Sequence, residues 1–274
     1  MRRKAPGFTC RFFLAALALA AGVGQSDASV GWITLRTKEG TEVRSMLGVP
    51  GRPGKLPAVI FNHGTDVRQY GYERAVFEGK TDVREFVDAL VAEGFVVLAP
   101  IREFLANVAY LDRGRLAGSP EDWTNVIARG LGVMRAAVRY LENHPRVKPG
   151  VMGIVGYSEG GNLALWTAIE GAAFRAVVLL SPAAIPVSPR YSLRAASDEI
   201  LLAKIKVPVF LAVGEQDFEG IRAMTARFLI PNMQKLNKAF VSKNYAGAEH
   251  NWFFRARDKY WRDVTEFLNA HLPR

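Results

Sequence analysis

Two kinds of apolar pattern alternate along this chain. The first is a short unbroken run, found at residues 58–61, 95–98, 151–155, 176–180 and 207–213. Runs this short predict strands covered on both faces, the pattern of a parallel sheet. The second kind recurs every three or four residues, which is the signature of a helix with one buried face. Asp82 caps one such segment, which carries Phe86, Val87, Leu90 and Val91 and ends at Gly94. A longer one spans 122–141, with Val126, Ile127, Val133, Met134, Ala137 and Tyr140 along one stripe. Further helices are predicted from Ser158 or Glu159 to about 169, from 221 to 236 and from 257 to 271, with a last strand at 239–245. Ahead of all these, 32–37 and 41–49 alternate apolar and polar around Lys38, Glu39 and Gly40, which predicts a β-hairpin. Strands alternating with helices specify an α/β fold with a mostly parallel central sheet and helices on both faces, the hairpin adding antiparallel strands at one edge. The longest stretch without a clear element, 181–206, has room for a small lid and a short helix at 197–205, and none for a large cap.

The first 28 residues follow neither pattern. Arg2, Arg3, Lys4 and Arg11 precede an apolar run at 12–23, and small residues follow up to Ala28. A run of about 12 is short of the roughly 20 residues that span a bilayer, so the segment predicts a cleavable signal peptide, with cut after Ala28 and no stable membrane span. One domain, 29–274, is then the mature protein, secreted or periplasmic. Its departure lowers the formal charge from +10 to +7, since it holds four of the 36 basic residues and Asp27 among the 26 acids. The remaining excess is scattered between acids with no run of five like charges, which gives no support to a nucleic-acid partner. The single cysteine, Cys10, lies in the same segment. The mature chain therefore has no disulfide, no zinc-thiolate site and no cysteine nucleophile.

Between the run at 151–155 and the next helix the chain reads Gly156, Tyr157, Ser158, Glu159, Gly160, Gly161, a G-x-S-x-G pattern on a strand-to-helix turn. Where the main chain folds back this sharply, the flanking positions Gly156 and Gly160 must lack a Cβ. A serine hydroxyl attacks a carbonyl only if a base takes its proton. Of the four histidines, His250 follows the last strand, at the sheet edge where Ser158 lies. His144 and His271 fall at other surfaces, and His63 is a structural residue that holds its loop. The acid that orients the base follows the run at 207–213, where Asp217 completes the order Ser, Asp, His, with Glu215 and Glu219 as neighbouring alternatives. The N–H groups of Thr65, after His63 and Gly64, and of Glu159 are candidates for an oxyanion hole.

With these motifs the chain resembles the α/β-hydrolase superfamily, and within it the dienelactone-hydrolase-like branch, over nearly all of 30–274. The resemblance rests on the His63, Gly64 loop, the 122–141 helix, the 156–161 elbow, Asp217, and Gly247 to His250 with aromatic residues after it. It implies a small or absent cap and a serine hydrolase without metal or organic cofactor. The namesake enzyme has a cysteine where this chain has Ser158, so its lactone is not carried over and a serine esterase acting on a small-molecule ester is the better match. A small peptidase like the catalytic domain of prolyl-oligopeptidase relatives, and a non-catalytic binding member of the fold, are the alternatives. The expected assembly is a monomer or weak dimer. Tyr157, Phe218 and Trp252 are candidate substrate contacts, with Tyr70, Tyr72, Phe253 and Phe254 nearby, and Arg68, Arg102 and Arg113 are candidates for an anionic group on the substrate.

Overall fold

A computed structural model describes residues 28–103, 110–111, 115–116, 119–171, 173–183, 198–236 and 239–274. Residues 1–27, where a signal peptide was expected, most of the 181–206 stretch and Arg113 lie outside the described residues. The leading hairpin forms as β1 (Ser29–Arg36) and β2 (Glu42–Val49), paired from Ser29 opposite Val49 to Arg36 opposite Glu42. The double-buried runs become β3 (Leu56–Asn62) and β4 (Val96–Pro100), in which every residue is buried. A two-residue pair, β5 (Tyr110–Leu111) and β6 (Arg115–Leu116), stands apart from the main sheet. The remaining strands are β7 (Val147–Tyr157), β8 (Ala176–Leu180), β9 (Val209–Gly214) and β10 (Phe240–Tyr245).

The main sheet has eight strands in the order β1-β2-β4-β3-β7-β8-β9-β10. Pairing is antiparallel from β1 through β2 to β4 and parallel from β4 to β10. The alternation of side chains explains why the inner strands read as unbroken apolar runs. In β3, Ala58 and Ile60 join one core while Val59 and Phe61 join the other. Helix α4 (Pro120–Glu142) and helix α5 (Glu159–Ile169) cover the first face with Trp123, Met134, Leu163 and Trp166. Helix α3 (Val83–Ala92) and the C-terminal helix α9 (Asp258–His271) cover the second with Phe86, Leu90, Tyr260, Val264 and Leu268.

Several boundaries move for identifiable reasons. Helix α4 begins at Pro120 because Ser119 and Asp122 form a reciprocal capping box, which satisfies N–H groups the first turn leaves open. The predicted helix at 221–236 is broken into α7 (Glu219–Met224), a wide π turn (Thr225–Leu229) and α8 (Ile230–Lys235). Pro231, which has no N–H, cannot continue the ordinary i to i−4 ladder, and the turn widens before it. Two short helices, α1 (Thr65–Tyr70) and α2 (Tyr72–Phe77), follow β3. A further short helix, α6 (Glu199–Leu202), is capped by Asp198 and falls within the stretch expected to contain one.

Candidate active site

The residues singled out in the sequence meet at one end of the sheet, beyond the C-terminal ends of β3, β7, β8, β9 and β10. Ser158 sits between β7 and α5 with φ 54° and ψ −120°, a left-handed conformation that a residue with a side chain adopts only under constraint. Its N–H donates to Leu180 O at 2.9 Å, and its carbonyl accepts from Gly161, Asn162 and Ala183 N–H at 2.9, 3.1 and 2.8 Å. The two flanking glycines are sterically required. A Cβ on Gly156 would stand 2.2 Å from Gly160 O, and one on Gly160 would stand 2.0 Å from Asn62 O.

His250 Nε2 lies 2.9 Å from Ser158 Oγ, and His250 Nδ1 lies 2.9 Å from Asp217 Oδ1. Asp217 is buried whereas Glu215 and Glu219 are exposed, which resolves the choice among the three acids in favour of Asp217 as the neighbour of His250. The loops after β9 and β10 are locked together, since Gln216 N–H donates to Ala248 O at 2.9 Å. Only glycine fits at 214, where a Cβ would come within 2.1 Å of Ala248 O. Asp217 Oδ1 also accepts from Phe218 N–H at 2.7 Å.

A further group at the site was not anticipated. Ser181, directly after β8, is fully buried with φ 45°. Its hydroxyl donates to Asp217 Oδ2, and its oxygen lies 2.7 Å from His250 Nδ1. With the Ser181 proton given to Asp217, the lone pairs face the imidazole, so His250 Nδ1 carries its proton toward both partners and Nε2 is left as acceptor for Ser158. The one signal in the sequence is a hydroxyl residue at the end of a buried strand, β8, next to β7.

The N–H groups of Thr65 and Glu159 open α1 and α5, and the first N–H groups of a helix have no intrahelical acceptor. Behind them lies a buried polar network. Glu159 Oε2 accepts from Thr65 Oγ1 at 3.0 Å, while Oε1 accepts from Arg68 Nε at 2.9 Å and from an Arg102 terminal nitrogen at 2.8 Å. Burial alone would raise the Glu159 carboxyl, but the two guanidinium groups outweigh it and hold it at about 2. Arg102 Nε also donates to Asn62 Oδ1 at 2.9 Å, its other terminal nitrogen to His63 O, and its backbone N–H to His63 Nε2 at 2.8 Å. His63 is therefore neutral, and burial followed by the Arg102 charge keeps its imidazole well below the usual histidine range.

This placement corrects part of the sequence reading. Arg68 and Arg102 are committed to Glu159 inside the protein and do not face an anionic substrate. Tyr157 is buried, its hydroxyl donating to His250 O at 3.3 Å, so it supports the histidine loop from behind. Trp252 packs into an aromatic cluster with Tyr245, Phe253 and Tyr260 at centroid distances of 5.0 to 5.3 Å. Tyr72 lies edge-on to Trp32, and Tyr70 lies under Arg74. Phe218 differs from these, being 50% exposed with its ring 4.6 Å from that of His250.

Among the described residues no cluster of three or more His, Cys, Asp or Glu is arranged to hold a metal ion, and no helix is long and apolar enough to cross a membrane. The model of the dienelactone hydrolase family matches residues 43–272. A Bradyrhizobium sp. protein named "Probable 2-oxo-3-(5-oxofuran-2-ylidene)propanoate lactonase" is 27% identical over 85% of this chain and 92% of its own length. The "Uncharacterized peptidase YtmA" of Bacillus subtilis is 23% identical over 84% of this chain and 89% of its own. The fold is also that of a crystal structure from Klebsiella pneumoniae subsp. pneumoniae assigned to the dienelactone hydrolases, with TM-score 0.65 at 17% identity over 89% of this chain and 99% of that one. A sheet of this topology, an elbow serine beside a histidine and a family match over most of the chain lead to one assignment: this chain belongs to the dienelactone hydrolase family and is a hydrolase of the serine type, with the α/β-hydrolase fold.

Proposed function

We propose that the chain is an exported serine esterase that cleaves small carboxylic esters through an acyl-enzyme. The observation that carries the reading is the line of contacts from Ser158 Oγ to His250 Nε2 and from His250 Nδ1 to Asp217 Oδ1, both 2.9 Å, at a constrained elbow. In the first half-reaction Ser158 Oγ forms a bond to the ester carbonyl carbon as its proton passes to His250 Nε2. Asp217 and Ser181 hold the resulting imidazolium, and the N–H groups of Thr65 and Glu159 receive the oxyanion. The C–O bond to the alcohol then breaks, and His250 returns the proton to the leaving oxygen. Water, deprotonated by the same histidine, attacks the acyl carbon and releases the acid and free Ser158.

Phe218, half exposed beside His250, favours an apolar acyl or alcohol group. Export rests on the basic and apolar pattern of the first 28 residues, and a mature protein starting at Ser29 in the periplasm or medium is its test by mass spectrometry. A second reading, cleavage of small peptides by the same acyl chemistry, is favoured by the likeness to the B. subtilis peptidase. A panel of p-nitrophenyl esters from acetyl to long acyl, run beside aminoacyl nitroanilides with wild type and Ser158→Ala, separates the two. Ester turnover lost in Ser158→Ala supports the esterase, whereas anilide turnover without ester turnover moves the assignment to a peptidase. A folded wild type silent on both and unlabelled by a fluorophosphonate would overturn catalysis altogether.

A further inference from the structure

The two N–H groups read as the oxyanion hole come from helices far apart in the chain; the sheet pairs their strands only as far as Asn62 opposite Gly156, and Thr65 and Glu159 lie beyond the end of that ladder. Thr65 belongs to the segment after β3, and Glu159 opens the helix after β7, 94 residues on. A direct tie joins them at the side-chain level. The Glu159 carboxylate accepts the Thr65 hydroxyl at 3.0 Å, so the residue supplying one N–H grips the residue supplying the other.

The same carboxylate is itself fixed. Arg68 Nε reaches both of its oxygens, at 2.9 and 3.0 Å, and Arg102 reaches Oε1 at 2.8 Å, with all three side chains 1% exposed. Arg102 then spans the end of β3, taking Asn62 Oδ1 and His63 O as acceptors while His63 Nε2 accepts its N–H. Asn62 Nδ2 returns to the elbow, donating to Gly160 O at 3.2 Å. Glu159, Arg102, Asn62 and Gly160 thus form a ring that closes through the peptide bond between Glu159 and Gly160, and Thr65 is tied to it at the Glu159 carboxylate. A buried ion cluster is a poor source of stability compared with apolar packing of the same volume, and its better-attested use is to specify one arrangement.

We infer that the Glu159 side chain, tied to Thr65 and anchored by Arg68 and Arg102, is a positioning group that sets the spacing of the two oxyanion donors. The inference rests on the esterase reading above. It predicts that cutting the tie harms the transition state more than the ground state, because an oxyanion exists only in the former.

The test uses the full-length chain and p-nitrophenyl butyrate. Thr65→Val removes the hydroxyl, keeps the shape and orphans no buried charge, because Glu159 retains both arginines. Its kcat should fall about 10- to 100-fold with KM within about twofold, as a donor displaced by a fraction of an ångström rather than deleted. Phenylboronic acid, which adds to a serine oxygen as a tetrahedral anion, should bind more weakly by a similar factor, and Thr65→Ser should recover most of both losses. If Thr65→Val does not melt cooperatively, Thr65→Ala carries the same comparison. An unchanged kcat in a cooperatively melting variant, a change confined to KM, or a Thr65→Ser variant no better than Thr65→Val overturns the inference. Ser158→Ala is measured alongside. If it is inactive while Thr65→Val is intact, the positioning role alone fails, and if it retains turnover, the esterase reading fails and takes this inference with it.

Discussion

A single methyl group at residue 160 should separate the chemistry of the elbow from its packing. In Gly160→Ala the new Cβ would lie 2.0 Å from Asn62 O and 2.5 Å from both Asn62 C and His63 O, all backbone atoms. An unstrained carbon-to-oxygen contact is about 3.3 Å, so the start of α5 and the end of β3 must part by more than about 1 Å. That displacement falls between Glu159 and Thr65 and beneath Ser158. Misplacing reacting groups by about 1 Å costs on the order of 100-fold, or about 2.7 kcal/mol in the barrier, and overpacking adds roughly 1–3 kcal/mol of lost stability. Gly132→Ala is the matched control. It adds the same methyl in the middle of α4, where the nearest foreign atom is Glu39 Oε2 at 3.4 Å. Removing a helical glycine should there raise stability by up to about 1 kcal/mol and the melting temperature by about 2–4 °C, with unchanged kcat/KM. Steady-state kinetics on p-nitrophenyl butyrate and thermal melts of both variants decide the matter. A Gly160→Ala enzyme with more than a third of wild-type kcat/KM and an unshifted melt would refute the steric account of the elbow.

Two further outcomes are expected. Ser181→Ala removes one acceptor from His250 Nδ1 and one donor from Asp217, so kcat should fall about 5- to 30-fold with KM little changed; an unchanged kcat would show that only the backbone at 181 matters. The buried network should make the fold acid-labile in two windows, followed by urea unfolding as a function of pH. His63 has a depressed folded value, so its neutral form stabilises the fold above about pH 6.5 and that contribution is lost as pH falls, less so in His63→Gln. Glu159, at about 2 against an ordinary 4.5, contributes on the order of 3 kcal/mol above pH 4.5 that disappears as pH drops toward 2. Stability that held level from pH 7 to pH 3 would contradict both assignments.

The elements that were legible in the sequence are those whose burial leaves a periodic trace. The strands at 58–61 and 176–180 announce themselves because both faces are covered, and α3 does so because Asp82 caps one apolar stripe. The helices α1 and α2 were invisible because six residues hold less than two full turns and show no stripe. The meeting of Ser158, Asp217 and His250 was recoverable because each follows a recognisable strand of the one sheet. Arg68 and Arg102 were misread as facing substrate for the converse reason. Their partner lies 91 and 57 residues away, and a sequence does not record which way a long side chain turns. The contact of Ser181 with His250 spans 69 residues and is equally silent until the strands are stacked.

That spacing has a consequence for how the molecule comes into being. Ser158 meets His250 across 92 residues, and Thr65 meets Glu159 across 94, so no short fragment of the chain holds a working set of contacts. Bringing such distant ends together costs loop-closure entropy that is recovered only when the parallel strands between them have paired, which makes this topology a slow one to form. A partly assembled sheet has a serine but no base beside it. Reaction of Ser158 with a fluorophosphonate should therefore lag behind the appearance of helix and strand during refolding, and that serine becomes a clock that starts only when the last strand has docked.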